Sequence, residues 1–477
     1  MIAPLTGGPI HIIGIGGIGM SAMAEIMMAR GIAVQGSDLK DGANLRRLSA
    51  KGIKVFASHD AANLSGAAKV VISTAVKETN PELKAARETG LPVHSRAELL
   101  AALMTGYHTI SVTGSHGKTT TTAMIGWMME KAGLEPTVLV GGVLRAWGSN
   151  ARTGRSGWMV VEADESDGTF IQIPTEIGVV TNIDPEHLDH YGTESALHEA
   201  FLTFFRGIPR DGLAVAGIDH PVIRDLLAKL AAEGGLPPLS SFGSALDANV
   251  KIDNVITNGG SVTFSARISD RSGGSPVRVP SIKLGVPGAY NALNAAAAAA
   301  VGLNLGLSAE VIFEALSSFE GVDRRFTPVG EWNGVAIYDD YAHHPAEIEA
   351  ALGAARGAAT GRVIAVMQPH RFSRLKSLFD GFCRCFHDAD MVLIAPVYAA
   401  GEPPNGFDRD TLVEGIRKAG HARVYPIENE ETLTRTVAAL ARPGDLLIGL
   451  GAGTISEWTR ALSGRLGRYS AFAGAAE

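Results

Sequence analysis

The chain has 477 residues, more than one ordinary domain needs, and its length suggests about three domains. Hydrophobic residues make up 46% and charged residues 19%, which is typical of a globular chain with buried cores. The formal net charge of -7 excludes a global positive field that would attract nucleic acid or anionic lipid, so local groups must hold any anionic ligand.

Cysteine content and targeting patterns predict a cytoplasmic protein. Cys383 and Cys385 are the only cysteines, too few for the four ligands of a structural zinc site or for a disulfide framework. The N-terminal residues lack a basic segment followed by an apolar stretch, and no uncharged apolar run reaches the roughly 18 residues of a spanning helix. We therefore expect no nucleic-acid partner and no membrane association.

The first hundred residues alternate short apolar runs with helical patterns, which is typical of βαβ units in a parallel sheet. We assign residues 1–104 to a first domain. The pattern predicts strands at 10–15, 33–36 and 67–73, and helices at 18–30 and 81–89.

A second domain is predicted over residues 105–322. It opens with a strand at 108–112, which leads through a glycine-containing loop into a helix ending at Lys131. The alanine run 295–300 predicts a tightly packed helix. Further strands are predicted at 158–162, at 178–182 and, as an antiparallel group, within 249–282.

A third βαβ region follows and defines a domain over residues 323–477. We expect its glycine- and alanine-rich tail, 463–477, to fray. Strands are predicted at 335–338, 362–367, 391–394 and 445–450.

The run Gly14-Ile15-Gly16-Gly17-Ile18-Gly19 fits the spacing G-x-G-x-x-G between a predicted strand and a helix. Such glycines let backbone N–H groups approach a pyrophosphate at the positive end of the helix. Asp38 lies about 20 residues further on, where dinucleotide-binding folds place an acidic residue near a ribose, and the Ser21 hydroxyl is a further phosphate contact to consider. Alone, the loop favours a dinucleotide such as NAD, and a tight turn without a ligand is the alternative.

A second phosphate-binding loop, Gly114-Ser115-His116-Gly117-Lys118-Thr119-Thr120, ends in G-K-T at a predicted helix start. Lys118 is placed to neutralise the β- and γ-phosphates of ATP, and the Thr119 hydroxyl is placed to bind Mg²⁺. Val112 stands where the first glycine of such a loop usually belongs, so this loop is a shortened variant.

Two acidic segments, 162–167 and 182–190, follow predicted strands of the same domain. A carboxylate at a strand end beside a phosphate loop is where a Mg²⁺ ligand belongs, and solvated acidic turns are the alternative. Two anion-binding loops in one chain favour a ligase or a kinase over hydride transfer, because one loop can hold ATP and the other a second phosphorylated substrate.

The set of motifs resembles the Mur ligases of bacterial peptidoglycan synthesis, in the order of that family and over almost the whole chain. The first glycine loop and the run Asp339-Asp340-Tyr341-Ala342-His343-His344-Pro345 are most similar to the member that joins L-alanine to UDP-N-acetylmuramate. The resemblance implies a three-domain α/β architecture, with a Rossmann-like domain for the UDP-sugar, a central P-loop ATPase domain and a Rossmann-like domain for the amino acid. It implies ATP, Mg²⁺ and an acyl-phosphate intermediate. The matching segments are 14–21, 114–121, 162–167, 181–190 and 338–345.

The resemblance also assigns roles to individual residues. Those expected to bind the UDP-sugar are Gly16, Gly17, Ile18, Gly19, Met20, Ser21, Asp38 and Ser73. Those expected to bind ATP are Gly114, Ser115, His116, Gly117, Lys118, Thr119 and Thr120, with Asn294 at the adenine and Arg325 at the phosphates. The expected metal ligands are Thr119 and Glu165 for one Mg²⁺ and His187 for a second. The amino-acid site would comprise Tyr341, His343, Arg371 and Arg374, and the expected catalytic residues are Lys118, His187, His343 and Arg374.

Two positions depart from the family pattern. Ser115 stands where the family loop usually has threonine, so a hydroxyl is kept and we expect little change. Tyr290 stands where relatives carry a histidine that contacts adenine, which puts the geometry of that contact in doubt.

The amino-acid end of the site is the most open part of the interpretation. Arg371 and Arg374 follow a predicted strand, where ligands of α/β folds bind, and arginine pairs with a carboxylate through two bonds. His343 is a candidate base or orienter for the amine. Solvated surface charges are the alternative for the arginines, and a structural hydrogen-bonded pair is the alternative for His343 and His344.

Three other functions remain to be compared with this one. A related recycling ligase adds a preformed peptide in place of alanine. A NAD-dependent oxidoreductase would explain the first loop but leaves Lys118, Glu165 and His187 without a role. A binding protein switched by ATP would bind both nucleotides and form no amide. The oligomeric states left open are a monomer and a homodimer.

Overall fold

The computed structural model describes residues 7–39, 41–73, 75–269 and 275–474. Its strands form three sheets, of five, ten and six strands, and these sheets confirm the predicted α/β class. The contacts divide the chain into two compact units. The first is Met1–Asp253 with Ser265–Ile282 and Leu293–Phe319, and the second is Asn254–Phe264 with Lys283–Ala292 and Glu320–Glu477.

The five-stranded sheet lies in the first unit. Its strands are β1 (Ile10–Ile13), β2 (Val34–Ser37), β3 (Lys54–Phe56), β4 (Lys69–Ile72) and β5 (Val93–Ser95). Its helices are α1 (Ile18–Ala29), α2 (Ala43–Ala50), α3 (Pro81–Glu88) and α4 (Arg96–Met104), with one 3₁₀ turn at Ala61–Leu64. All strands are parallel in the order β3-β2-β1-β4-β5, and β1 is buried throughout, as a strand covered on both faces requires.

The ten-stranded sheet follows. Its strands are β6 (His108–Thr113), β7 (Thr137–Leu144), β8 (Ser149–Arg152), β9 (Trp158–Glu162), β10 (Ile177–Val180), β11 (Leu213–Gly217), β12 (Leu239–Gly243), β13 (Val250–Asn258), β14 (Ser261–Ile268) and β15 (Val277–Leu284). Its helices are α5 (Lys118–Lys131), α6 (Leu188–Tyr191), α7 (Glu194–Arg206), α8 (Pro221–Ala232), α9 (Tyr290–Asn304) and α10 (Ala309–Ser317), with one 3₁₀ turn at Thr169–Gln172. The strand order is β15-β14-β13-β12-β11-β10-β6-β9-β7-β8.

The middle of this sheet positions the second phosphate loop. The neighbours β10, β6 and β9 are parallel, so their carboxyl ends meet at one edge of the sheet. At the far edge β8 is antiparallel to β7 and closes a hairpin. The alanine run 295–300 lies in α9 and is completely buried, which confirms the predicted tightly packed helix.

The six-stranded sheet lies in the second unit. Its strands are β16 (Thr327–Trp332), β17 (Val335–Asp340), β18 (Val363–Met367), β19 (Met391–Ile394), β20 (Val424–Pro426) and β21 (Leu446–Leu450). Its helices are α11 (Pro345–Ala358), α12 (Phe372–Ser377), α13 (Phe379–Arg384), α14 (Arg409–Lys418), α15 (Glu430–Leu440) and α16 (Ile455–Gly474). The order is β16-β17-β21-β18-β19-β20, and only β16 pairs antiparallel with its neighbour.

The expectation of a frayed tail is wrong as far as Gly474, because α16 continues to that residue. The helix is amphipathic and buries Leu462 and Leu466 in the core of the second unit, which outweighs the weak helix propensity of its glycines. Residues 475–477 lie outside the described part of the chain.

Candidate active site

The first glycine loop joins β1 to α1, as predicted. Gly14 has a left-handed φ of +84°, and a Cβ atom there would lie 2.9 Å from Ser73 Oγ. Gly14 N donates to Ser37 O at 2.8 Å, and Gly17 N donates to Gly14 O at 3.1 Å. The loop therefore turns tightly at the carboxyl edge of the sheet, with Ser73 beside it.

Backbone donors of this loop are preformed for an anion. Ile18, Gly19 and Met20 occupy the first turn of α1, where backbone N–H groups have no acceptor within the helix. Such groups at a helix start favour a phosphate. Asp38 Oδ2 accepts from Gly16 N at 3.0 Å, so the acidic residue predicted for a ribose contact also holds the loop.

The side chains of Met20 and Ser21 point into the protein instead of toward a ligand. Both residues are buried, and Ser21 Oγ donates to Ile18 O at 3.0 Å. The Ser21 hydroxyl therefore supports the first turn of α1. Among the predicted phosphate contacts, the structure favours the backbone N–H groups over this hydroxyl.

The second phosphate loop joins β6 to α5. Gly114 and Gly117 have left-handed φ values of +126° and +83°. A Cβ atom at Gly114 would collide with Thr181, and one at Gly117 would lie 2.6 Å from Asn294 Oδ1. Only glycine fits these two positions, so the shortened loop depends on its two remaining glycines.

The segment after β10 holds this loop in place. Asp184 N donates to Ser115 Oγ at 2.8 Å, and His116 N donates to Asn182 Oδ1 at 2.7 Å. Thr181 Oγ1 donates to His116 O at 2.6 Å, and His116 Nε2 lies 3.2 Å from Asp184 Oδ2. The second acidic segment thus braces the phosphate loop through hydrogen bonds.

Lys118 lies at the centre of the loop. Its Nζ donates to Gly114 O at 2.7 Å, to Ser115 O at 3.0 Å and to Glu165 Oε1 at 2.8 Å. Burial opposes the charge of Lys118, but Glu165 and neighbouring carboxylates raise its pKa above the ordinary value. The ammonium group is therefore permanently charged.

The structure pairs Thr119 with Glu162, whereas the sequence interpretation grouped it with Glu165. Thr119 Oγ1 donates to Glu162 Oε1 at 2.9 Å, and Gly141 N donates to Glu162 Oε2 at 2.6 Å. Burial raises the pKa of Glu162. Glu162 ends β9 directly beside β6, while Glu165 lies three residues further along the loop. The strand-end position of Glu162 was therefore the sequence signal that could have identified it as the partner of Thr119.

Glu165 belongs to a second group of candidate metal ligands with Glu186 and His187. One ligand atom from each lies within 4.8 Å of the others. His187 Nε2 lies 3.5 Å from Glu165 Oε1, and Glu165 Oε2 is buried without a hydrogen bond. Burial opposes protonation of His187, but Glu165 raises its pKa. An orphaned carboxylate oxygen beside an imidazole fits a divalent cation.

Asn294 was expected at the adenine and lies beside the phosphate loop. It is buried in α9, and its Oδ1 accepts from Thr121 Oγ1 at 3.1 Å. The same oxygen is the atom nearest to the missing Cβ of Gly117. The structure therefore gives Asn294 a supporting contact with the loop and the start of α5.

In the second unit, three predicted residues share one cluster. His343 Nδ1 lies 3.0 Å from Tyr341 O and 3.2 Å from Glu347 Oε2. The Arg325 guanidinium lies 5.3 Å from the Tyr341 ring centre and 3.9 Å from Glu347 Oε1. Burial raises the pKa of Glu347, but His343 and Arg325 hold that pKa well below its usual range. The sequence interpretation missed Glu347, which is the carboxylate that organises the cluster.

Arg374 joins this cluster through a histidine that was also missed. Arg374 NH1 lies 3.4 Å from His370 Nδ1, and the His370 ring is 6.0 Å from that of His343. Burial, with His343 and Arg374, lowers the pKa of His370 to about 4. Arg371 has an exposed side chain and a left-handed φ of +70°, and its backbone N donates to Tyr398 O at 2.8 Å.

Tyr290 lies in the second unit, at the start of α9. A Cβ atom at Gly288 would lie 2.7 Å from Cζ of the Tyr290 ring, so the two residues are in close contact. Burial raises the pKa of Tyr290 and keeps its phenol neutral. Its effect on adenine binding stays a prediction.

Together these features define a class of enzyme. These features are typical of a nucleotide-dependent phosphoryl-transfer enzyme. They are a P-loop with a charged lysine, a threonine that donates to a strand-end carboxylate, and a neighbouring group of glutamates and a histidine. The additional glycine loop supplies a second candidate anion site in the same unit. The arginine- and histidine-bearing cluster supplies groups suited to a carboxylate and an amine.

The chain belongs to the Mur ligase family. Residues 9–108 match the sequence model described as Mur ligase family, catalytic domain. Residues 112–302 match the Mur ligase middle domain, and residues 324–453 match the Mur ligase, glutamate ligase domain. The three-domain architecture expected from the motifs is confirmed.

Curated relatives align with nearly the whole chain. A protein of Methylobacterium nodulans named UDP-N-acetylmuramate--L-alanine ligase is 52% identical over 460 residues, covering 96% of this chain and 97% of the relative. A protein of the same name from Bradyrhizobium diazoefficiens is 50% identical over 460 residues, covering 96% and 98%. The resemblance stated from the motifs is confirmed by these relatives.

Solved structures share the fold. UDP-N-acetylmuramate-alanine ligase from Thermotoga maritima has a TM-score of 0.81 and 27% identity, covering 98% of this chain and 100% of that one. A murein peptide ligase from Psychrobacter arcticus has a TM-score of 0.71 at 24% identity, covering 97% and 99%, and shows the fold alone.

Among the described residues, no helix combines the length and apolarity needed to cross a membrane.

Proposed function

We propose that the chain joins L-alanine to the muramoyl carboxylate of UDP-N-acetylmuramate in an ATP-dependent reaction of peptidoglycan precursor synthesis. The observation that carries this proposal is the pairing of 50–52% identity over 96% of the chain with an intact phosphate loop. The substrates are a UDP-sugar, ATP and an amino acid. The acyl phosphate forms first and the amide second.

In the first step the substrate carboxylate attacks the γ-phosphorus of ATP, the bond to the β-bridging oxygen breaks, and ADP leaves. Both reactants are anions that repel each other, and negative charge develops on the leaving oxygen of ADP, so the barrier falls only where that charge is neutralised in place. Lys118 supplies a fixed positive charge at the loop. When ATP binds, its phosphates replace some of the loop acceptors that Lys118 contacts in this structure.

Magnesium fits two sets of oxygen and nitrogen ligands at this site. Thr119 with Glu162 would hold one ion beside the nucleotide phosphates, and Glu165, Glu186 and His187 would hold a second. The buried, unbonded Glu165 Oε2 supports the second set. When bound, such ions supply charge neutralisation for the phosphates and the carboxylate.

In the second step the free amine of alanine attacks the acyl carbon, phosphate leaves, and the nitrogen loses a proton. His343 Nδ1 contacts two acceptors, Tyr341 O and Glu347 Oε2, and therefore carries a proton itself. When Nδ1 carries the only ring proton, Nε2 is the proton acceptor. We assign the amine proton to Nε2 of His343 and the alanine carboxylate to Arg374, with Arg371 beside it.

We also propose the domain boundaries that the sequence pattern indicates. They lie between residues 104 and 105 and between residues 322 and 323. The acyl phosphate is hydrolysable, so the reaction requires exclusion of water. We assign the enzyme to the cytoplasm, where ATP and UDP-sugars occur, as a monomer or homodimer without nucleic-acid partners.

One assay tests this function directly. Purified enzyme is incubated with ATP, Mg²⁺ and UDP-N-acetylmuramate, and phosphate release is measured with L-alanine, with a peptide or with no amine. Phosphate release that depends on alanine, with the UDP-muramoyl-alanine product seen by mass spectrometry, is expected. Release with the peptide but not with alanine would move the assignment to a recycling ligase, and no release with any amine would exclude a ligase.

A further inference from the structure

Two asparagines from different parts of the fold donate hydrogen bonds to carbonyl groups of the first glycine loop. Asn44 Nδ2, on α2 of the five-stranded sheet, donates to Gly16 O at 2.8 Å. Asn150 Nδ2, on β8 of the ten-stranded sheet, donates to Ile18 O. The chemistry of the two contacts is the same, but only Asn150 links the glycine loop to the sheet that carries the ATP loop.

Asn150 is completely buried and belongs to a charged network. Its Oδ1 accepts from Arg47 NH2 at 2.7 Å, and Arg47 Nε donates to Glu25 Oε1 at 2.7 Å. Lys51 also contacts Glu25, and Ser149 Oγ donates to Glu25 Oε2 at 3.2 Å. Glu25 is only 5% exposed, and buried ion pairs contribute little stability over an apolar replacement. The network specifies how α1 and the β7–β8 hairpin lie against each other.

The same hairpin also contacts the ATP site, through Gly141 in the middle of β7. Strand β8 pairs with β7, with Leu139 opposite Ala151 and Leu144 opposite Ser149. In β7, Gly141 N donates to Glu162 Oε2 at 2.6 Å, and Glu162 Oε1 accepts from Thr119 of the phosphate loop. A Cβ atom at Gly141 would collide with Glu162, so this contact requires glycine. One hairpin is thus hydrogen bonded to the first glycine loop directly and to the ATP loop through Glu162.

We propose that Asn150 is a positioning residue that fixes the distance between the UDP-sugar loop and the ATP loop. This inference rests on the function proposed above, since it concerns the approach of the muramoyl carboxylate to ATP. A misplacement of about 1 Å is enough to slow a reaction about a hundredfold, whereas each substrate still finds its own loop. Loss of the Asn150 contact therefore lowers kcat without a matching loss of substrate binding.

The experiment compares Asn150→Ala with Asn44→Ala in the full-length enzyme. Steady-state phosphate release gives kcat and the KM for each substrate, and calorimetry gives the Kd for UDP-N-acetylmuramate. For Asn150→Ala we expect kcat to fall about tenfold or more, with the KM for ATP and the Kd for the UDP-sugar within about threefold of wild type. For Asn44→Ala we expect a raised KM for the UDP-sugar with kcat near wild type.

Arg47→Lys provides a second variant if Asn150→Ala does not fold. Lysine keeps the charge beside Glu25 but loses the branched guanidinium that reaches both Glu25 and Asn150. A lowered kcat with unchanged UDP-sugar Kd is expected here too. Circular dichroism and thermal melting establish that each variant is folded.

The outcomes separate this inference from the proposed function. A wild-type enzyme that releases no phosphate refutes the function itself. An active wild type with Asn150→Ala within twofold in kcat overturns the positioning role, and so does a raised UDP-sugar KM at unchanged kcat, which would equate Asn150 with Asn44. If both Asn150→Ala and Arg47→Lys fail to fold, the network is a folding element and the inference is again overturned.

Discussion

The two glycine loops have the same backbone plan and differ in charge. Each follows a buried strand, turns on glycines with left-handed φ and opens a helix. The first loop has no lysine or arginine, and Asp38 accepts from its Gly16 N–H. The second contains Lys118, which lies among carboxylates. The first thus offers backbone dipoles, whereas the second offers a full positive charge with candidate metal ligands.

This difference separates binding from chemistry. Backbone N–H groups at a helix start suit a diphosphate whose charge stays constant through the reaction. A lysine with metal ligands suits a phosphate whose charge changes as its bond breaks. The carboxylates are arranged accordingly, since Glu82 is paired inside the core of the first unit, while Glu162 and Glu165 border the second loop.

The strongest test of this separation is Lys118→Ala. Removing the charge that faces the transferred phosphate should lower phosphate release by about a thousandfold. Binding of UDP-N-acetylmuramate, measured by calorimetry, should persist, because the first loop keeps its donors. Lys131→Ala is the matched control, since Lys131 ends the same helix and its Nζ lies 4.4 Å from the Trp127 ring centre. Loss of UDP-sugar binding in Lys118→Ala would contradict the separation.

The next largest effect concerns the acid stability of the first unit. Glu82 is fully buried and contacts His11, Ser37, His59 and Asn63. Burial opposes its charge, but hydrogen bonds from His11, Ser37 and Asn63 lower its pKa to about 2. A pKa below the unfolded value stabilises the fold above that unfolded value, and this contribution is lost as the pH falls toward 2.

We therefore expect Glu82→Gln to be less stable than wild type at pH 6 by up to about 3 kcal/mol, and the difference to shrink as the pH falls below about 4.5. Melting temperatures of wild type and Glu82→Gln across the acid range measure this difference in stability. Glu78→Gln is the control, since its exposed carboxylate pairs only with Arg87 at the surface among the contacts described. His11 and His59 also face Glu82. A stability difference between Glu82→Gln and wild type that stays constant across the acid range would mean that packing, not charge, accounts for the lost stability.

How far the sequence leads can be judged from these same loops. Both loops, their flanking strands and the helix starts were predictable, because glycine spacing and apolar periodicity are local properties. Strand bounds differed by one or two residues, as at β2, where 33–36 was predicted and Val34–Ser37 is observed. Local patterns therefore located the two glycine loops correctly.

The partners of each side chain were less predictable, because they depend on which strand ends meet. Glu162 and Glu165 lie in one acidic run, and only the pairing of β9 with β6 places Glu162 at Thr119. Asn150 and Glu347 carry no motif. Asn150 contacts residues distant in the chain, and Glu347 contacts His343, which precedes its helix. Residue roles therefore required the three-dimensional structure, while the family required only the motifs.

A metal test addresses the charge of the second loop. Replacing Glu162 by glutamine keeps an oxygen for Thr119 Oγ1 but removes the negative charge that would attract Mg²⁺. The Mg²⁺ concentration for half-maximal phosphate release should rise about tenfold, a change typical of weakened metal sites. Glu176→Gln is the control, because Glu176 precedes β10 at the opposite end of the sheet and pairs with His108. An unchanged Mg²⁺ dependence would remove Glu162 from the metal site.

The smallest effect is expected at Asp38, and it tests how neutral the first loop must be. Asp38→Ala removes the acceptor of Gly16 N–H, so a loop that relies on preorganisation should bind more weakly. The loss of one charged hydrogen bond at a partly exposed site, about 1 kcal/mol, corresponds to about a fivefold rise in the KM for the UDP-sugar. The KM for ATP should not change. Asp41→Ala, at an exposed neighbour that pairs with Arg46, is the control.

Asp38→Asn distinguishes support of the loop from repulsion of the ligand. Its amide oxygen can still accept from Gly16 N–H, but the negative charge near the diphosphate is gone. If Asp38 acts by support alone, Asp38→Asn should have the wild-type KM for the UDP-sugar. A KM below the wild-type value would mean that the carboxylate repels the diphosphate, so the first loop would then also be tuned by charge.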